Sequence, residues 1–183
     1  PLTVCVDKVA ASGGYLMSCL ANKLVAAPFA IVGSIGVVAQ LPNFHRLLKK
    51  HDIDYEIFTA GKYKRTVTLF GENTEEGRAK FKQDLEETHA LFKDFVARYR
   101  PHVDIESVSQ GDIWYGTRAL DIGLIDAIST SDDYLVSLAE ERKVFRVDWV
   151  EKKSLPERLG IGLASAAGQL VTRLHRLLPV NSA

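Results

Sequence analysis

The chain has 183 residues, and its 23 lysines and arginines balance 23 aspartates and glutamates, so the formal net charge is zero. The length and a hydrophobic content of 46% fit one globular domain with an appendage and exclude a disordered chain. The balanced charge argues against nucleic acid as a partner, because affinity for nucleic acid rests on a basic surface. The two cysteines, Cys5 and Cys19, are too few for a disulfide scaffold, and no cysteine and histidine spacing matches a zinc site.

The first forty residues alternate between apolar runs typical of buried strands and one apolar helical segment, which predicts an α/β fold. The strand-like runs cover residues 2–6, 24–27 and 31–38, and the helix is predicted over residues 15–22. The segment Ser12-Gly13-Gly14 stands between the first strand and that helix. Its glycines permit a tight turn and a close approach of another molecule.

A long, charged helix is predicted to begin near residue 74 and to end before Pro101. Asn73 is its predicted N-cap, with Glu76 three residues later, close to a capping box. The predicted apolar stripe of this helix consists of Phe81, Leu85, Thr88, Phe92, Phe95 and Tyr99. The sequence before it predicts an amphipathic helix over 44–51, a strand over 55–58 and a loop rich in Gly, Lys and Thr over 60–72.

The remaining pattern predicts a strand over 113–116, helical segments over 118–122 and 132–142, and an edge strand over 144–150. The composition changes after Lys153, and apolar residues then recur at helical spacing. We expect residues 1–150 to form the α/β domain and residues 151–183 a helical extension. That extension fits a docking helix, an interaction helix or a membrane-surface helix, and the pattern leaves these alternatives open.

Ser12 is the first candidate for chemistry, because it falls where a strand ends and a helix begins. The free N–H groups at a helix start can stabilise a developing anion, so the position suits a nucleophile. The Gly-x-Ser-x-Gly signature of α/β-hydrolases is not met, since Ala10 stands at its first glycine. A serine before a helix is also a common N-cap, and both interpretations remain open at this point.

A serine nucleophile needs a base. The chain has five histidines, His45, His51, His89, His102 and His175, and none is placed as a triad member would be. The first three lie on predicted helices among charged neighbours, where we expect solvated side chains. A lysine with a lowered pKa is the alternative base, and Lys62 and Lys64 lie in a loop after the predicted strand 55–58.

The ordered motifs together resemble the signal peptide peptidase A family of serine proteases, in its bacterial SohB-like branch. They are Ala10–Tyr15, Gly33–Val37, Gly61–Lys64, Trp114–Gly116 with Ala119, and Gly123–Asp126. The resemblance implies a Clp protease/crotonase-like α/β fold, incomplete here because the N-terminal half is missing. Residues 1–150 would then be the C-terminal part of a single Ser-Lys peptidase domain.

The resemblance also implies roles for individual residues. Ser12 matches the nucleophile, and Lys64 matches the general base, with Lys62 as its competitor. Ser34 matches the serine that hydrogen-bonds the lysine ammonium, and the backbone N–H of Gly13 would stabilise the oxyanion. The implied serine endopeptidase needs no metal and no cofactor, and apolar groups around residues 35–38 could line a pocket for small or apolar side chains.

By the same resemblance, the substrates would be signal-peptide remnants or membrane-associated polypeptides. The family assembles into homo-oligomeric rings in which serine and lysine can come from neighbouring subunits. A missing N-terminal anchor would attach the protein to the bacterial inner membrane with a periplasmic catalytic domain, although the chain itself has no signal peptide and no apolar run of about 18 residues. The chain alone would be impaired. The alternatives are a non-catalytic crotonase-like assembly or binding module and an acyl-CoA enzyme on the same scaffold.

Overall fold

A computed structural model describes residues 1–149 of the chain, and Pro1–Lys143 form one compact unit. The described secondary structure consists of β1 (Thr3–Val6), β2 (Val9–Ala11), α1 (Gly13–Ser18), β3 (Lys23–Ala26), β4 (Ile31–Gly33), α2 (His45–Lys50), α3 (Glu75–Tyr99), α4 (Ile105–Val108), β5 (Ile113–Tyr115), α5 (Gly116–Asp121), β6 (Ala127–Ile128) and α6 (Ser131–Glu141). The predicted helical extension over 151–183 lies outside the described residues.

The strands form two three-stranded sheets. In the first, β3 lies between β1 and β6, and both pairings are parallel. In the second, β4 pairs in parallel with β2 and antiparallel with β5. The register of β2 and β4 places Ala11 opposite Gly33, so these two strands end at the same edge of their sheet. The predicted α/β class is confirmed.

The core lies between the sheets, α1 and the C-terminal half of α3. Its fully buried members include Tyr15, Leu24, Val32, Ile35, Val96 and Leu124. The Tyr15 hydroxyl donates a 2.8 Å hydrogen bond to the Leu124 carbonyl, and burial raises the pKa of this hydroxyl above its usual value. This bond joins the helix that follows Ser12 to the turn before β6.

An ion pair between a buried arginine and a partly exposed aspartate joins the end of α3 to the same turn. The guanidinium of Arg100, whose residue is 3% exposed, donates hydrogen bonds of 2.9 and 2.7 Å to the two carboxylate oxygens of Asp126. The Leu24 amide donates a further 2.6 Å bond to Asp126. Burial by itself would raise the pKa of the Asp126 carboxyl, but the bonds from Arg100 and Leu24 outweigh it and hold that pKa below its usual value.

Two predicted strands are absent from the described part of the chain. Residues 55–58 are irregular and exposed, and Tyr55 packs its ring against Phe70 at a centroid distance of 5.7 Å. Residues 144–149 also carry no regular structure. A strand is stabilised by its ladder of hydrogen bonds, and neither segment pairs with a strand among residues 1–149.

The start of α3 differs from the prediction. Thr74, not Asn73, is the N-cap, and its hydroxyl accepts a 3.1 Å hydrogen bond from the Gly77 amide. Asn73 instead holds the preceding loop, because its side chain accepts from the Thr68 amide and donates to the Thr68 carbonyl.

The buried face of α3 is also rotated slightly from the predicted stripe. Thr88 is exposed, whereas His89 is half-buried between Leu85 and Phe92 along the helix. Both Thr88 and His89 lie three or four residues from Leu85 and from Phe92, so helical spacing alone allows either residue on the buried face. The packing of α3 decides which of the two is buried. Although α3 has 25 residues, no helix within residues 1–149 combines the length and the apolar content that crossing a membrane requires.

Candidate active site

Ser12 occupies a turn between a strand and a helix, as predicted, but the strand is β2, which the sequence pattern did not predict, and not the predicted strand over residues 2–6. It follows Ala11, the last residue of β2, and precedes Gly13, the first residue of α1. Its backbone has a φ of 52° and a ψ of −121°, a conformation that is strained for any residue except glycine. Its amide donates a 2.7 Å hydrogen bond to the Gly33 carbonyl. The Ser12 hydroxyl makes no capping hydrogen bond to α1, so the N-cap interpretation finds no support in the contacts of this helix.

Ser34 holds the matching place after β4. It follows Gly33, has a φ of 51°, and its amide donates a 2.7 Å hydrogen bond to the Asp112 carbonyl. Gly33 itself has a φ of 97°, and a Cβ at this position would lie 2.6 Å from Cε3 of Trp114. The close approach of the Trp114 ring therefore requires glycine just before Ser34.

Both serines line one cavity of about 560 Å³. Its lining consists of Ser12, Gly13, Leu16, Ser34, Gly36, Val37, Val38, His89, Phe92, Ser109, Gln110 and Gly111. Three of the four predicted site residues, Ser12, Gly13 and Ser34, are thus brought together. Val37 and Val38 contribute apolar lining as expected, whereas Ile35 is fully buried in the core.

Lys64, the fourth predicted residue, does not line this cavity. It lies in an exposed turn, where its amide donates a 3.1 Å hydrogen bond to the carbonyl of Gly61. Within a single chain, the structure therefore leaves the predicted base outside the cavity that contains Ser12.

Lys62, the competitor, is engaged elsewhere. Its ammonium lies 2.7 Å from Oε1 of Glu76 and 4.9 Å from the centroid of the Tyr63 ring. The hydrogen bonds to Glu76 and Tyr63 raise the pKa of the Lys62 ammonium above its usual value. A general base must release its proton near neutral pH, so the ion pair with Glu76 makes Lys62 the poorer candidate.

The sequence interpretation missed two polar residues of the cavity. His89 was expected to be solvated, but it lines the cavity, and its Nε2 lies 2.8 Å from the Ser109 carbonyl. The only sequence feature that indicated a buried His89 was its spacing of four residues from Leu85 and three from Phe92. Nothing in the sequence pattern distinguishes Ser109 from other serines, because its place depends on the packing of α3 against the segment that follows α4.

A serine held in a strained turn between a strand and a helix, beside a cavity in an α/β fold, is the arrangement of enzymes that use a serine nucleophile. The family model of peptidase family S49 matches residues 1–145, and the chain belongs to this family. Family S49 has the Clp protease/crotonase type of fold, so both the predicted fold type and the predicted family are confirmed. Membership places the chain in a family of peptidases.

Two curated relatives are similar over most of the chain. The "Probable protease SohB" of Haemophilus influenzae is 55% identical over 172 residues, which are 94% of this chain and 49% of the relative. The protein of the same name from Buchnera aphidicola of Acyrthosiphon pisum is 56% identical over 157 residues, or 86% of this chain and 47% of the relative. The chain thus spans about half the length of these relatives.

Among solved structures, an enoyl-CoA hydratase/isomerase from Marinobacter aquaeolei covers 76% of this chain and 36% of its own, with a TM-score of 0.40 and 11% identity. Because this similarity is low, the fold is assigned from the family alone.

Proposed function

We propose that the chain contributes the nucleophile and the general base of a serine endopeptidase, with Ser12 and Lys64 as a catalytic dyad. The observation that carries this proposal is the pairing of β2 with β4, which brings Ser12 and Ser34 to one cavity. Membership of a peptidase family supports peptide-bond hydrolysis as the reaction.

In the proposed reaction, Oγ of Ser12 attacks the carbonyl carbon of a peptide bond while neutral Lys64 Nζ accepts the hydroxyl proton. The Gly13 N–H stabilises the oxyanion of the tetrahedral intermediate. The carbon–nitrogen bond then breaks, Lys64 returns the proton to the leaving amine, and an acyl ester remains on Ser12. Lys64 then deprotonates a water molecule, which attacks the ester carbon; the bond to Ser12 Oγ breaks, the carboxylic acid product leaves, and Lys64 returns the proton to Oγ. Ser34 positions Lys64 by accepting a hydrogen bond from its ammonium.

For Lys64 to reach Ser12, we propose that it comes from a neighbouring copy in a homo-oligomer, with movement of the loop within one chain as the alternative. The exposure of the turn at Lys64 supports an intermolecular role. By the family resemblance alone, we further propose signal-peptide remnants or membrane-associated polypeptides as substrates. The same resemblance suggests attachment to the bacterial inner membrane with a periplasmic catalytic domain.

The dyad is tested in the full natural protein that contains this sequence. The protein is treated with a fluorophosphonate probe, and any adduct is detected by intact mass and located by peptide mapping. We expect one adduct on Ser12, loss of the adduct in Lys64→Ala, and retention in the matched control Lys62→Ala. Labelling that persists in Lys64→Ala would contradict the dyad. A folded, assembled protein without any adduct would instead favour a non-catalytic binding module.

The source of the lysine is tested by mixing two inactive variants, Ser12→Ala and Lys64→Ala. If the dyad forms between copies, a reassembled equimolar mixture should regain about a quarter of the wild-type activity, because half of the serines and half of the neighbouring lysines are intact in a closed ring. If both groups belong to one chain, every site stays incomplete and the mixture stays inactive.

A further inference from the structure

The first turn of α3 supports the loop that carries Lys64. Gly77 is the third residue of this helix, and the backbone of Thr66 lies directly against it. A Cβ on Gly77 would collide with the Thr66 carbonyl oxygen and would lie 3.3 Å from the carbonyl carbon. Gly77 has no positive φ, so the helical backbone alone would accept alanine at this position. The close approach of the loop is therefore what requires glycine here.

The segment just after Lys64 is fixed at a second point. The Asn73 side chain accepts a 2.8 Å hydrogen bond from the Thr68 amide and donates a 3.0 Å bond to the Thr68 carbonyl. Asn73 directly precedes the N-cap of α3, so this contact and the one at Gly77 join one stretch of the loop to one end of the helix. Two residues of chain span at most about 7 Å, so a shift of the Thr66 backbone is transmitted to the turn of Lys64.

The segment before Lys64 is held more weakly. Lys62 Nζ and the Tyr63 hydroxyl both contact Oε1 of Glu76, at 2.7 and 3.4 Å. The side chains of Lys62 and Glu76 are 67% and 64% exposed, and exposed ion pairs of this kind contribute little to stability. The backbone contact at Gly77 therefore does more than this ion pair to set the place of the loop.

Building on the proposed dyad, we propose that Gly77 is a positioning residue for Lys64, because its bare Cα lets the Thr66 backbone dock on the first turn of α3. Van der Waals contact with a Cβ at residue 77 would require the Thr66 carbonyl to move by about 1 Å. A displacement of about 1 Å in a catalytic group lowers a rate by about a hundredfold. Within one chain, about 18 Å of α3 separate Gly77 from His89, which lines the cavity of Ser12. A substitution at Gly77 should thus act on catalysis through Lys64.

The test is made in the full natural protein. It measures kcat and KM for a peptide that the wild type cleaves, and the rate of fluorophosphonate labelling at Ser12. In Gly77→Ala we expect kcat and the labelling rate to fall by about tenfold to a hundredfold, with KM within about twofold of the wild-type value, since a displaced base slows the chemistry and leaves substrate binding intact. Arg78→Ala, which removes an exposed side chain at the next position of α3, is the matched control and should keep all three values.

Gly77→Ala should unfold within about 5 °C of the wild type, because the higher helix propensity of alanine opposes the strain of the collision. If Gly77→Ala does not fold, Asn73→Ala provides the test, since it adds no atom and removes both hydrogen bonds to Thr68. Its kcat should fall by about threefold to tenfold with KM unchanged. An unchanged kcat in this second variant would overturn the positioning of Lys64 by this end of α3.

Two kinetic results would overturn the role of Gly77 alone, provided that Lys64→Ala still abolishes labelling. The first is that Gly77→Ala behaves like Arg78→Ala. The second is a rise in KM as large as the fall in kcat, which would indicate lost substrate binding. If Lys64→Ala is instead labelled as fast as the wild type, the proposed dyad fails and this inference fails with it.

Discussion

Ser12 and Ser34 stand in equivalent positions, each directly after the last residue of one of two hydrogen-bonded parallel strands, and both have a positive φ, 52° and 51°. The Ser12 amide bonds to the Gly33 carbonyl, so the turn of one serine is tied to the strand that carries the other. The ends of parallel strands are a common place for binding and catalytic groups, and here the relationship rests on the register of Ala11 opposite Gly33.

We expect Ser12→Gly to increase the free energy of unfolding by about 1 kcal/mol, because glycine adopts a positive φ without the steric cost that serine carries. Ser12→Ala is the matched variant. It also removes the hydroxyl but keeps the strain, so it should unfold like the wild type. Urea denaturation of the three proteins measures the difference, and equal midpoints for the two variants would contradict strain at Ser12.

Gly33→Ala is expected to lower the free energy of unfolding by about 3 kcal/mol, from the positive φ and from the collision of Cβ with Trp114. The control is Gly61→Ala, because Gly61 has a similar φ of 95° and a Cβ there would meet no atom within 4 Å. That control should cost about 1 kcal/mol. If the two substitutions lower the free energy of unfolding by the same amount, the close approach of Trp114 does not require glycine at position 33.

Asp126→Asn is expected to destabilise the protein by about 3 kcal/mol, since it leaves the buried Arg100 guanidinium without a carboxylate. The same change in the exposed pair between Arg118 and Asp121, whose side chains are 69% and 63% exposed, should alter stability by less than about 0.5 kcal/mol. Thermal or chemical unfolding compares the two variants. Similar losses of unfolding free energy in both variants would mean that the burial of Arg100 does not strengthen its pair with Asp126.

The stabilisation from Asp126 should depend on pH in acid only. The pKa of this carboxyl is lower in the folded protein than in the unfolded chain, so the stabilisation is complete above the unfolded pKa of about 4 and disappears as the pH falls through the lower, folded value. The difference in unfolding free energy between the wild type and Asp126→Asn should therefore be constant from about pH 8 to pH 5 and shrink below about pH 4. A difference that grows in acid would have the wrong sign.

The patterns of the sequence predicted the parts of the fold that depend on local signals. The apolar runs near the N-terminus became β1, β3 and β4, and the glycines after Ser12 marked the turn into α1 correctly. The site residues Ser12, Gly13 and Ser34 came together because their motifs follow strands that pair. The role of Lys64 stays a prediction.

The errors arose where a distant contact decides the outcome. The apolar and aromatic residues of the segment 55–58 are typical of a strand, but Tyr55 packs against Phe70 and the segment has no strand partner in the described chain. Thr88 and His89 are consecutive residues of α3 and point in different directions. The contact of His89 Nε2 with the Ser109 carbonyl explains why the histidine, and not the threonine, is turned inward. Periodicity cannot foresee either contact.

The positive φ at Ser12 and Ser34 also bears on how related sequences would diverge. At both positions the backbone alone would favour glycine, so a serine there persists only while its hydroxyl is needed. In a lineage released from the need for catalysis, glycine should replace these two serines early, before the buried core changes. The pair of residues 12 and 34 could therefore separate active members of the family from inactive ones by inspection of their sequences.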